Sequence, residues 1–190
     1  MTAPEKSFIE RVARVIARPG PNAPRNVTGS ILAQAARLHG LRPIGDESTA
    51  PTGFDPAATA LFQNTLEAAY LVAAADGPID ETEAALLRAI IGVGSDNKIG
   101  PAEAEEMIDD MRMQHAREGE EVRVRHIGRM VHNRDHQHEV LRIAAIMARA
   151  SGSVAPSSRA VLDKLAQGFS LAPTVVDVAI GEVEEALARA

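Results

Sequence analysis

Apolar residues recur along most of this chain with helical spacing, interrupted by short polar breaks built on Pro and Gly. The strict alternation that marks a half-buried strand is nearly absent. In residues 7–18, SFIERVARVIAR, Phe8, Val12 and Val15 share one stripe, while Lys6, Arg11, Arg14 and Arg18 populate the remaining surface. That spacing predicts an amphipathic helix. PGPNAP (19–24) breaks the chain. A second short helix is expected over 28–39, with Gly40 as its left-handed cap. Residues 41–54, rich in Pro, Gly, Ser and Thr, are expected to form a linker.

Beyond the linker the helical pattern is denser. Asp55 is suited to cap a helix and Pro56 to open it, with Phe62, Leu66, Ala69 and Ala73 as the apolar stripe. ETEAALLRAIIGVG forms the next helical run. Pro101 opens a third run that ends at Gly119, and EEVRVRHIGRMV follows. After the polar break HNRDHQH, EVLRIAAIMARA places Val140, Ile143, Ala144 and Met147 on one face, and Pro156 and Pro173 open the last two helices. The pattern predicts an all-α protein: an N-terminal amphipathic arm and linker (1–54), then an antiparallel bundle of about seven short helices (55–190).

A repeat lies within the bundle. Shifted by 75 residues, ARASGSVAPSSRAVLDKL (148–165) falls on AAADGPIDETEAALLRAI (73–90). Gly77 meets Gly152, Ile79 meets Val154, Leu87 meets Leu162, and Ile90 meets Leu165. The acids do not recur: Asp76, Asp80 and Glu83 become Ser151, Ala155 and Ser158. A fainter copy, DNKIGPAE, matches Asp96, Ile99 and Glu103 to Asp76, Ile79 and Glu83. A glycine turn followed by a β-branched plug is therefore compatible with loss of the acids, which raises the interest of the three in the first copy.

Two readings of those acids stand side by side. Asp80 and Glu83 have the spacing of a capping box, and Gly77 suits the end of the preceding helix. Alternatively, Asp76, Asp80 and Glu83 supply oxygen ligands to a hard divalent cation, calcium or magnesium. An EF-hand is excluded by register, because Val72 and Ala74 would occupy its first two ligand positions. In HNRDHQHE, His132 and His136 would share one face at i and i+4 if the segment were helical, a spacing zinc uses. With Asn133 or Asp135 as a cap, the histidines fall instead in a solvated first turn.

Composition narrows the classes. The net charge of −6 argues against a general nucleic-acid binder, and 3% aromatic content, with no Trp and Tyr70 as the single Tyr, is ill suited to base stacking. The lack of cysteine removes disulfides and thiolate chemistry and permits a reducing cytosol. The charged N-terminus lacks the apolar core of a signal peptide, and no run approaches the roughly 20 apolar residues of a membrane span. Neither a phosphate-binding glycine loop nor a G-x-S-x-G elbow is present. The first helix, with Phe8, Val12, Arg11, Arg14 and Arg18, is a candidate for docking on a partner protein, a membrane surface or a larger assembly; otherwise it packs on its own bundle.

The turn AADGPIDETEAALL, with its fainter echo ARASGSVAPSSRAVLDKL, resembles the TerB-like family of tellurite-resistance proteins over roughly residues 55–187. The resemblance implies a compact helical bundle with pseudo-symmetric halves and no enzymatic activity. It implies a stress-response role through protein complexes in the bacterial cytoplasm near the inner face of the membrane. It further implies metal binding by acids in the turns, which carries over to Asp76, Asp80 and Glu83 but not to Ser151, Ala155 and Ser158. The expected function is that of a helical adaptor for a partner protein, with or without a divalent cation. The alternatives are a metal-dependent enzyme using the acidic turn and the His segment, and a structural subunit held in an assembly through residues 1–54.

Overall fold

The computed structural model describes residues 6–20, 30–39, 55–149 and 152–190. Among them the regular elements are all helical, and no strand occurs: α1 (Lys6–Ala17), α2 (Ile31–His39), α3 (Pro56–Ala73), α4 (Glu81–Gly94), α5 (Pro101–Glu118), α6 (Glu120–Met130), α7 (Arg134–Ala148), α8 (Pro156–Gly168) and α9 (Thr174–Arg189). A single 3-10 turn, Ala74–Asp76, follows α3. Gly40, the expected linker at 41–54, and Ser151 lie outside the described residues.

Local chemistry explains most helix starts. Asp55 caps α3 by accepting a bond from Ala57 N at 2.9 Å, with Pro56 in the first turn. Pro101 and Pro156 open α5 and α8, where the missing N–H has no intrahelical partner to lose. Ser30 Oγ accepts from Ala33 N at 3.0 Å at the start of α2, whose first residue is Ile31; the expected start at 28 lies outside the described residues.

The centre is formed by α3 and α7, which pack most extensively on each other; α2 covers α3, α9 covers α7, α1 lies against α4 and α9, and α6 pairs with α8. The predicted stripe of α3 is buried, but so are Leu61, Ala68, Tyr70, Leu71 and Val72 on its other sides. In α7 every residue from Glu139 to Ala148 is buried. The many alanines let the backbones approach, and side chains such as Phe62 and Leu66, both fully buried, each stabilise the fold by about 1.5–3 kcal/mol. At the α6–α8 crossing the approach is closer still. A Cβ on Gly128 would sit 2.8 Å from the Gly168 carbonyl oxygen, so only glycine fits there.

The two described helices of the N-terminal segment contribute to the core. Val12, Val15 and Ile16 of α1 and Leu32, Ala35 and Ala36 of α2 belong to the same buried core as Phe62 and Ile143.

Candidate functional site

The acidic turn is built as a reciprocal cap. Glu83 N donates to Asp80 Oδ1 and Asp80 N donates to Glu83 Oε2, each at 2.9 Å. Gly77, at φ 149°, carries the chain out of the 3-10 turn through a conformation that favours glycine. Asp76 is exposed at the end of that turn. Burial raises the Glu83 carboxyl above its ordinary range, and repulsion from Asp80 and Asp76 adds to this, while the Asp80 N–H works in the opposite sense. One oxygen each of Asp80 and Glu83 is engaged by backbone, and among the described residues no group of three or more His, Asp or Glu side chains is placed to hold a metal ion.

The second copy of the turn shows what its glycine and plug achieve without acids. Gly152 has φ 95°, Val154 is half-buried, and α8 starts at Pro156 with no side-chain cap from Ala155. Ser158, which stands where Glu83 does in the first copy, donates from Oγ to the Val72 carbonyl at 3.4 Å. In the faint copy, Ile99 is buried, and α5 is entered from Gly100 with no side-chain cap.

The histidine segment takes the capped arrangement. Asn133 Oδ1 accepts from Asp135 N at 2.8 Å and His136 N at 3.2 Å, so α7 begins after His132. His132 and His136 therefore do not share a helical face. His136 is half-buried, and desolvation lowers its pKa despite Asp135 and Glu139 nearby.

On α1, Arg11, Arg14 and Arg18 are exposed, Phe8 is half-buried beneath Arg11 (guanidinium 5.9 Å from the ring centre), and Val12 is fully buried. The expected docking stripe is thus largely engaged with the protein's own core. Arg14 donates to the Ala190 carbonyl.

Two buried Glu–Arg forks are not singled out by the sequence reading. On α7, Arg142 Nε and Nη2 donate to the two oxygens of Glu139 at 2.8 Å each, and Nη1 reaches the Val15 carbonyl at 3.2 Å. Leu32 N points at Glu139 Oε1 from 3.5 Å. A Cβ on Gly20 would meet Arg142 Nε at 3.1 Å, so the chain after α1 passes directly over this fork. The second fork joins α3 to α6: Arg123 Nε and Nη2 donate to the two oxygens of Glu67, the latter at 2.8 Å, and Nη1 donates to Glu118 Oε2 at 2.9 Å. These bonds raise the Arg123 pKa, and bonds from Arg117 and Arg123 hold the Glu118 carboxyl below its ordinary range.

This second fork is part of the wall of a cleft of about 380 Å³ between α3, α5 and α6. Along α5, Met107, Asp110, Met111, Gln114, Arg117 and Glu118 present one helical stripe to it. From α3, Asn64 is 5% exposed; its Nδ2 donates to the Ala60 carbonyl at 2.6 Å, and its Oδ1 has no partner among the described residues. The signal that would have found this site is a charged residue in a run otherwise too apolar for it. Glu67 precedes AAYLVAAA, and a carboxylate there demands a partner.

Compared with protein-family models, with curated proteins and with solved structures, the chain finds no match.

Proposed function

We propose that this protein is a non-enzymatic, TerB-like helical adaptor that holds a partner protein at the cleft between α3, α5 and α6. The observation that carries the reading is the combination of an open cleft with a buried Arg123–Glu67 fork in its wall. A rigid helical frame with a concave, mixed polar and apolar surface suits recognition of a protruding side chain or segment. The repeated glycine-turn and plug at 77–79 and 152–154 supports a bundle with pseudo-symmetric halves of the TerB-like kind. The resemblance also supports placing the adaptor in the cytoplasm, near the inner face of the membrane. No helix among the described residues is long and apolar enough to cross a membrane.

The test is site-specific photo-crosslinking from Gln114 in the full chain, in cells. A captured protein that is lost when Met107→Trp fills the cleft, and retained with a substitution at exposed Val178 on α9, supports the adaptor reading. A crosslink pattern indifferent to Met107→Trp would remove it. In parallel, titration of calcium and magnesium into wild type and Asp76→Ala tests the cation. Heat of binding in wild type that disappears in the variant would require the acids of the turn to rearrange around an ion.

A further inference from the structure

The polar groups of the cleft do not cancel one another. Its lining includes the carboxylates Glu67, Asp110 and Glu118 and the guanidiniums Arg117 and Arg123, with His126 at the edge. Arg123 is held by Glu67 and Glu118, and Arg117 pairs with Glu118 at 2.7 Å. Both cations are therefore matched. Beside the uncharged Gln63 and Gln114 amides and His126, two acceptors stand out: the exposed Asp110 carboxylate, with no ion pair among the described residues, and the buried Asn64 Oδ1.

Asn64 is the informative one. A carbonyl accepts only, so the atom on Ala60 O is the amide nitrogen, and the oxygen is the atom left over. A buried carbonyl-type oxygen with no donor among the described residues is costly, so it is a place for a water or for a donor group of a ligand. Leu66, Met107 and Met111 supply the apolar part of the lining. Methionines are adaptable walls that move aside for a stem. Arg117 and Glu118 belong to the last turn of α5, where the helix presents its partial negative charge. Asn64 Oδ1, Asp110 and the methionine wall together suit hydrogen-bond donors with positive charge on an aliphatic stem.

We propose that the cleft between α3, α5 and α6 binds an organic cation, a primary ammonium or guanidinium on an aliphatic stem, whose head group donates to Asn64 Oδ1 and Asp110 and whose stem lies against Met107 and Met111. The proposal deepens the adaptor reading by naming the group a partner would insert, a Lys or Arg side chain. A free amine has the same chemistry, and the experiment separates the two sources.

The experiment titrates N-acetyl-lysine methylamide, N-acetyl-arginine methylamide, neutral N-acetyl-norleucine methylamide and putrescine into the full chain, followed by amide chemical shifts. Expected is saturable binding of a cationic probe, with shifts at residues 63–67 and 107–118, and no saturation by the norleucine probe. Asn64→Leu and Asp110→Asn should each weaken binding by about tenfold or more, the size of a hydrogen bond to a charged group. Asp110 is exposed, so its variant is expected to fold whatever Asn64→Leu does to stability. Tighter binding of the lysine or arginine probe assigns the cation to a partner side chain, and tighter binding of putrescine assigns it to a free amine. The proposal is overturned if no cation saturates the site, if norleucine binds equally well, or if both variants bind like wild type. In the last case Asn64 Oδ1 holds a buried water. Failure here, with a cleft-dependent crosslinked partner still captured, would leave the adaptor reading intact and remove only its cationic contact.

Discussion

The two buried forks use the same residue types and differ in their surroundings. Glu139 and Arg142 are neighbours on α7, three residues apart, and the groups around them come from the backbone of α1 and α2. Their side chains are 4% and 7% exposed. Glu67 and Arg123 are 56 residues apart in the chain and join α3 to α6, with a third member, Glu118, and a cleft alongside. The first fork borders only a smaller pocket of about 150 Å³, with Glu182 facing Arg142 across it, and its hydrogen bonds go to fastening the N-terminal helices to the core. The second is open, with unmatched acceptors beside it. Buried charge alone therefore does not mark a functional site; incomplete satisfaction next to accessible space does.

The difference should appear in stability. Arg142→Met leaves the nearly fully buried Glu139 uncompensated and undoes the link to Val15, so a loss of about 3–5 kcal/mol is expected in urea unfolding. It is the largest effect of any single substitution proposed. Arg123→Met also strands a buried carboxylate, but Glu67 lies beside a cleft that water can enter, so a smaller loss of about 2 kcal/mol is expected. Equal losses in the two variants would break the comparison. A double substitution, Glu139→Leu with Arg142→Met, should recover much of the Arg142→Met loss, because replacing a buried pair by apolar groups is often neutral.

How far this was legible beforehand depended on the range of each interaction. Asp55 with Pro56, Pro101, Gly119, Pro156 and the Asp80–Glu83 box all act within one turn of themselves, and each was readable from spacing. The choice between Asn133 and Asp135 as the α7 cap was not, since both side chains can cap, and the difference lies in where the helix packs. The integration of α1 was half readable. Its stripe was evident, but the surface it would meet was not. The cleft escaped entirely because Glu67 and Arg123 carry no local signature of each other. Only the misfit of a charge in an apolar run hinted that a partner existed somewhere.

The contrast between closed and open groups extends to the repeated turns. The acids Asp80 and Glu83 close on each other, whereas Ala155 offers α8 no side-chain acceptor. Asp80→Ala should cost about 1 kcal/mol, the usual worth of such a cap, and Ala155→Asp should gain somewhat less, since Pro156 already removes one unpaired N–H. Thermal melts of the two variants check both signs. A negligible loss in Asp80→Ala would show that the box is not what stabilises α4, and would return its acids to the list of groups awaiting a ligand.

The smallest effects come from two carboxyls displaced in opposite directions. Glu118, beside the open fork, is held below its ordinary range by Arg117 and Arg123. Its contribution is present above the unfolded-state pKa and is lost as pH falls through the lower folded value. Glu83, in the closed box, is raised chiefly by burial. Its charge opposes folding at neutral pH, so its effect is most favourable below the unfolded-state value and declines as pH rises through the higher folded one. Glu118→Gln should therefore be less stable than wild type at pH 7, with the gap closing on acidification. Glu83→Gln keeps an acceptor for Asp80 N and loses the repulsion from Asp76 and Asp80, so it should be at least as stable as wild type at pH 7, with the advantage vanishing in acid. Urea midpoints from pH 7 down through the carboxylate range would show the two variants approaching wild type from opposite sides. If both approached from the same side, Glu83 would have to be in contact with positive charge, and the turn would no longer be a site at which acids crowd one another.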